Sequence, residues 1–264
     1  MAETQFRESA AAGYDRSVGE MTQRIVPLLL RAARIAPGMR VLDIATGTGL
    51  AAELALAEVG PTGHVAATDL SPAMIAKARA RLAARPNVSV TVEDGQALTL
   101  TDQSFDAVIC NLGLMYFPDP ARGLAEFRRV LRPGGRAAVS VFTSADRALV
   151  GGLIRVAIAR HFPSKAAEAE HFFAVGDEAR LCSAFEGAGF ADVEIATEAL
   201  TFAFASFDAY FGGAERGAGH MGQEYMALPE EMRRAVREEV RREVGDTGGP
   251  IEVEVEVRVA SGRR

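Results

Sequence analysis

The sequence predicts a doubly wound α/β fold: a mostly parallel, seven-stranded sheet with an antiparallel closing strand and a helical lid inserted before it. Three observations carry that expectation. Apolar runs of strand length alternate with helical runs between residues 40 and 142, the pattern of a parallel sheet covered on both faces. A glycine-rich turn joins the first of these strands to the first following helix. The chain closes with Ile251-Glu-Val-Glu-Val-Glu-Val-Arg-Val259, whose strict alternation marks a strand with one buried and one wet face.

Taken in order, the N-terminal stretch to residue 36 reads as helical, with Ile25, Leu28, Leu29, Ala32 and Ile35 near the spacing of one apolar face. Pro37-Gly38 ends it. Strands are predicted at 40–45, 64–69, 88–93, 105–111 and 136–142, with helices at 50–59, 72–84 and 121–131 between them. Further helices are predicted at 145–162 and 177–187, a short strand near 193–195, and a charged helix ending the stretch 206–244. Pro133-Gly134-Gly135 reads as a turn that launches the fifth strand. The expected organisation is a single domain. Residues 1–36 form an N-terminal helical lid segment, 37–142 a cofactor-binding core and 143–205 its completion with substrate-side helices. Residues 206–249 form the lid insertion and 250–264 the closing strand.

Composition narrows the function. The 264 residues are 48% hydrophobic and 24% charged, with a formal net charge of −6. Basic residues are interspersed with acidic ones, so the stripe that grips nucleic-acid backbones is absent. No apolar run is long enough to span a bilayer, and the first twenty residues lack the apolar core of a signal peptide. A cytoplasmic protein acting on a small molecule is expected, with a homo-oligomer left open. The two cysteines, Cys110 and Cys182, are too few for a disulfide framework or a four-cysteine zinc site. No metal site is expected, and Cys110, ending an apolar run, reads as a buried thiol.

The most informative stretch is Val41-Leu-Asp-Ile-Ala-Thr-Gly-Thr-Gly49. Gly47 and Gly49 allow a tight turn and close approach of a ligand to the backbone, and the helix start that follows favours acceptor groups. Asp69, twenty positions after Gly49 at the end of the next strand, suits both hydroxyls of a ribose. Gly47-x-Gly49-x-x-Ala52 also satisfies a dinucleotide fingerprint, so a nicotinamide-dependent oxidoreductase is the rival reading. Three features favour S-adenosylmethionine instead. Asp43 puts a carboxylate beside the loop, where an ammonium–sulfonium ligand fits better than a pyrophosphate. Glu93-Asp94-Gly95 places another after the third strand, within reach of an adenine amino group. The fourth strand runs into Leu112-Gly-Leu-Met-Tyr-Phe-Pro-Asp-Pro120, followed by a helix ending in Arg129-Val-Leu-Arg-Pro-Gly-Gly135.

On these motifs, between residues 37 and 142, the chain resembles the class I S-adenosylmethionine-dependent methyltransferases, in the group of the ubiquinone and menaquinone biosynthesis C-methyltransferases. One departure is Ala45, at a position often glycine, which makes the loop less open. The resemblance implies that Asp43 and the backbone of Ala45, Gly47 and Thr48, with Gly49, surround the methionine part of the cofactor. It implies further that Asp69 holds the ribose with Leu70 against the adenine. Asp94 would accept from the adenine amino group, the Gly95 amide would reach a ring nitrogen, and the Asn111 carbonyl would meet the ammonium. An inert S-adenosylmethionine-binding protein is the non-enzymatic alternative.

Methyl transfer needs alignment and exclusion of water more than a universal catalytic group, so catalytic residues are not fixed by the motifs. The candidates are Tyr14, which resembles a tyrosine that relatives place over the methionine end, and the lid histidines His171 and His220. His64 and Asp106 read as structural, at the strand ends away from the ligand edge. Phe202, Phe204, Phe207, Phe211, Met221 and Met226 suggest an apolar pocket, with core packing the better account of Phe202 and Phe204. An apolar or aromatic acceptor follows, methylated on oxygen or carbon. Asn111-Leu-Gly-Leu lacks the Asn-Pro-Pro-aromatic motif of exocyclic amine methylation.

Overall fold

A computed structural model of the protein describes residues 8–148 and 151–264, with side chains from Gly19 onward. Seven strands form one sheet: β1 (Arg40–Ile44), β2 (His64–Asp69), β3 (Val88–Val92), β4 (Phe105–Asn111), β5 (Leu131–Phe142), β6 (Ala191–Phe204) and β7 (Ile251–Arg263). Their order is β3-β2-β1-β4-β5-β7-β6. β1 pairs in parallel with β2 and β4, β2 with β3, and β4 with β5, while β7 runs antiparallel between β5 and β6. The chain winds outward in one direction through β1, β2 and β3 and returns to the other side of β1 with β4. The carboxyl ends of β1 and β4 therefore flank the point where strand order reverses, the place where open α/β sheets bind ligands.

Helices α1 (Glu8–Ala32), α2 (Leu50–Val59) and α3 (Pro72–Leu82) join α4 (Pro120–Val130), α5 (Gly152–His161), α6 (Ala166–Ala174) and α7 (Glu178–Gly187) around the sheet. Local chemistry starts them. The Ser71 hydroxyl accepts from the Met74 amide, the Asp119 carboxylate from the Arg122 amide and the Asp177 carboxylate from the Arg180 amide. Pro72 and Pro120 occupy the first turn, where the missing amide costs nothing. Val26 and Leu29 of α1 pack with α2 and β1 on one face, and Phe127 of α4 with Phe185 of α7 on the other.

Three helices, α8 (Phe207–Glu215), α9 (Gly219–Met226) and α10 (Glu230–Glu243), are inserted between β6 and β7. Met21 and Ile25 of α1, Ile154 of α5, Phe211 of α8, Val236 of α10 and the inner valines of β7 form one apolar cluster beneath them. Arg237 of α10 pairs with Asp208 and Glu215 while its guanidinium lies 5.0 Å from the Phe207 ring.

Three elements differ from the sequence reading. β6 spans fourteen residues, not three: most of its side chains are exposed, and alternation is confined to its ends, at Val193 and Ile195 and at Leu200, Phe202 and Phe204. Its pairing with the alternating β7 holds it in place. β5 begins at Leu131, which pairs with Phe105 before a bulge at Pro133-Gly134-Gly135 restores pairing at Arg136 with Ala107. The predicted helix at 145–162 starts only at Gly152, since Ala148 is drawn into a bridge with Val255.

Candidate functional site

The site is built on the turn that follows β1. Gly47 and Gly49 adopt φ of 58° and 86°, the left-handed region that glycine enters without strain. A Cβ on Gly49 would lie 3.1 Å from that of Ala78, so the turn is pressed against α3. Ala45 is also left-handed, at 56°, and its methyl group is accommodated because Gly113 opposite has none. A Cβ there would come within 2.6 Å of it. Arg81 holds the turn from outside, donating to the Thr48 carbonyl at 2.9 Å and pairing with Glu53 at 3.0 Å.

Asp43 ends inside this turn and is fully buried. Its Oδ2 accepts from the Thr46 hydroxyl at 2.5 Å, while Oδ1 has no hydrogen-bond partner. Burial pushes its pKa up to about 7, with Asp69 raising it further and the Thr46 hydroxyl opposing. Asp69, at the end of β2, accepts from the Gly47 amide and the Ser71 amide, each at 2.9 Å. Burial raises its pKa against those two bonds. The carboxylate ties the turn to β2 and retains lone pairs for hydroxyl donors, since each carboxylate oxygen accepts more than one bond.

Leu70 is 55% exposed, an open apolar surface beside Asp69. Asp94 accepts from the Gln96 amide at 2.9 Å. Gly95 admits no side chain, because a Cβ would fall 2.5 Å from the Phe117 ring. Asn111 is fixed by the Ser140 hydroxyl, which donates to its side-chain oxygen at 2.8 Å. All ten residues suggested for the cofactor thus fall at the carboxyl ends of β1 to β4. Gly19 and Thr22 of α1 close the cleft over Ala45, Gly47, Thr48 and Asn111.

A second chamber, of about 150 Å³, has Leu112 and Tyr116 from the segment after Asn111 in its wall. Met21, Phe142, Ile154, Phe172, Phe204 and Tyr210 give it apolar walls. Arg155 and His220 stand in its wall, with Glu224 behind them. Arg155 is 3.4 Å from His220 Nδ1 and 3.5 Å from Glu224, and His220 is 3.6 Å from Glu224. Burial lowers the pKa of His220, holding it neutral, and raises that of Tyr116.

The other residues singled out from sequence separate. Tyr14 lies outside the described side chains. His171 faces a different cleft, with its Nε2 2.8 Å from the Phe117 carbonyl. Phe204 and Met221 line the second chamber, but Phe202, Phe207 and Phe211 pack in the core and Met226 turns to the surface. His64 meets Ser89, and Asp106 accepts from the Arg40 amide and Arg132. Cys110 is fully buried, which pushes its thiol pKa up and leaves it unreactive. Arg155, the main polar residue of the second chamber, was not singled out. Its signal is a lone cation inside the apolar run Gly152-Leu-Ile-Arg-Val-Ala-Ile158. Among the described residues no helix is long and apolar enough to cross a membrane, and no cluster of three metal-ligating side chains occurs.

The sheet order and the ligand edge are those of the class I S-adenosylmethionine-dependent methyltransferase fold. Residues 41–135 match the family model described as methyltransferase domain. The chain is 42% identical over 119 residues to demethylmenaquinone methyltransferase of Deinococcus radiodurans, covering 44% of this chain and 48% of the relative. It is also 42% identical over 110 residues to arsenite methyltransferase of Halobacterium salinarum, covering 41% of this chain and 28% of that one. The chain thus spans about half the length, or less, of the curated relatives it matches. Phosphoethanolamine N-methyltransferase 2 of Haemonchus contortus, solved with S-adenosyl-L-methionine, shares the fold with a TM-score of 0.65 at 17% identity. That likeness covers 99% of this chain and 58% of the other.

Proposed function

We propose that the protein is an S-adenosylmethionine-dependent methyltransferase that acts on a small acceptor with an apolar or aromatic body, on oxygen or carbon. The observation that carries this reading is the Asp43 carboxylate, buried beneath the glycine turn with Oδ1 unpaired. A buried carboxylate without a full set of partners is costly, and a cationic amino-acid ligand laid over the turn relieves that cost. The left-handed backbone at Gly47, which carries no side chain, supports the same fit. A pyrophosphate beside Asp43 and Asp69 would meet repulsion instead.

When bound, the cofactor supplies an electrophilic methyl group on a sulfonium, which departs as a neutral thioether. The chain's own residues do the rest. Asp69 and Asp94 fix the adenosine end and Asn111 the ammonium end. The chamber walls hold the acceptor in line and keep water out, which is the larger part of such catalysis. Any proton on the acceptor atom leaves to solvent or to His220, which of the two candidate histidines is the one that lines the acceptor chamber. Calorimetric titration tests the reading: S-adenosylhomocysteine is expected to bind, and NADH to bind far more weakly. Tighter binding of NADH overturns it.

A further inference from the structure

The second chamber is mostly apolar but carries charged groups in its wall. Among the described residues two guanidinium groups line it, from Arg155 of α5 and Arg216 just after α8, and no carboxylate does. Arg155 is only 5% exposed, and its Nε has no hydrogen-bond partner. Glu224, the acid paired with both, stands behind Arg155 and His220 at 3.5 and 3.6 Å, longer than the 2.7–2.9 Å of a well-made charge-assisted bond, and Glu168 also acts on His220. Among the described residues no carboxylate lies within 4.0 Å of Arg216. The Arg155 guanidinium also lies 4.2 Å from the Phe172 ring centroid, which fixes its plane.

A buried cation whose donors are only partly satisfied is poor at stabilising a fold. It is well made for recognition, because the guanidinium fork matches a planar oxyanion. Tyr116 lays its hydroxyl against the Arg155 guanidinium and shares in that group's hydrogen bonding. Its ring lies 5.1 Å from that of Phe172 and 5.4 Å from that of His220. The chamber's volume of about 150 Å³ equals that of an engineered apolar cavity that takes up a benzene ring.

We infer that the acceptor is an anion: an aromatic or similarly compact apolar body bearing a carboxylate, which the guanidinium groups of Arg155 and Arg216 in the chamber wall bind. This rests on reading the chamber as the acceptor site of the proposed methyltransferase, but the charge preference is measurable without turnover. Benzoate, benzamide and benzamidine serve as probes of one shape and three charges, titrated by ligand-observed NMR against the full chain, with and without S-adenosylhomocysteine. Benzoate is expected to bind at least tenfold more tightly than benzamide, and benzamidine not to bind.

Arg216→Gln is expected to cost benzoate about fivefold or more. Arg155→Gln combined with Glu224→Gln, which keeps the buried charge balanced, is expected to remove the preference for benzoate. Titration of S-adenosylhomocysteine into the same variants reports folding and the cofactor cleft separately, and is expected to be unchanged. Equal binding of benzoate and benzamide, preference for benzamidine, or binding of none of the three by a chain that still binds S-adenosylhomocysteine overturns the inference. A preference for benzoate without any S-adenosylhomocysteine binding supports the anionic chamber and overturns the methyltransferase reading instead.

Discussion

Ala45 and Gly113 divide one space between them: a Cβ on Gly113 would stand 2.6 Å from that of Ala45 and 2.7 Å from the sulfur of Cys110. The first side of this pair is the family departure noted in the turn, and the second is its accommodation. Gly113→Ala is expected to destabilise the protein by about 1–3 kcal/mol, the usual cost of overpacking a tight site. Adding Ala45→Gly removes one of the two clashes and relieves a left-handed alanine, so the double variant should recover part of the loss. Thermal unfolding of the four proteins in the cycle measures it. Strict additivity would mean that the two positions do not interact.

Asp43 links the site to pH. Its pKa rises from 3.8 to about 7 on burial, so between those values the folded chain holds more protons than the unfolded one. Stability of the free protein should therefore fall as pH rises from about 4 to about 7 and level off above. Asp43→Asn should flatten that slope in melting curves recorded across the range. The ammonium group of S-adenosylhomocysteine favours the ionised form, so this ligand should bind about tenfold more tightly at pH 8 than at pH 6, by the linkage of one proton with a pKa near 7. Calorimetry in buffers of different ionisation enthalpy should detect proton release near pH 7.

Asp69 anchors the turn through the Gly47 amide and caps the Ser71 turn. Asp69→Ala should weaken S-adenosylhomocysteine by roughly 1–3 kcal/mol, the cost of leaving buried donors unpaired. Asp69→Asn, which keeps one acceptor, should lose less. Equal affinity in all three proteins would place the ribose elsewhere.

Gly95 is closed by the Phe117 ring, at 2.5 Å from a would-be Cβ. Gly95→Ala should lower the melting temperature and weaken S-adenosylhomocysteine together. Combining it with Phe117→Leu, which withdraws the ring edge, should restore binding more than stability, since Phe117 also packs at 6.1 Å on Phe127.

How far the sequence could be read follows from how local each signal is. The glycine turn, Asp43, Asp69 and Asp94 sit at fixed offsets from strand ends, and short-range spacing alone put them at one edge of the sheet. The alternation of β7 likewise announced its two faces. β6 gave little signal because most of its side chains are exposed and its structure comes from β7, a partner about sixty residues away. Arg155 was hidden for a related reason. One cation in an apolar helix reads as a solvated face until Phe172, Glu224 and His220 are folded around it. The candidate pocket aromatics show the converse, since composition cannot say which of several phenylalanines turns inward.

Met21 and Thr22 are neighbours on α1, yet Met21 lines the larger chamber and Thr22 the cleft over the glycine turn. One rigid rod is thus a shared wall, and two compartments with a shared wall cannot be furnished separately. A ligand that displaces that helix from one side changes the wall met on the other, and any coupling that results acts equally in both directions.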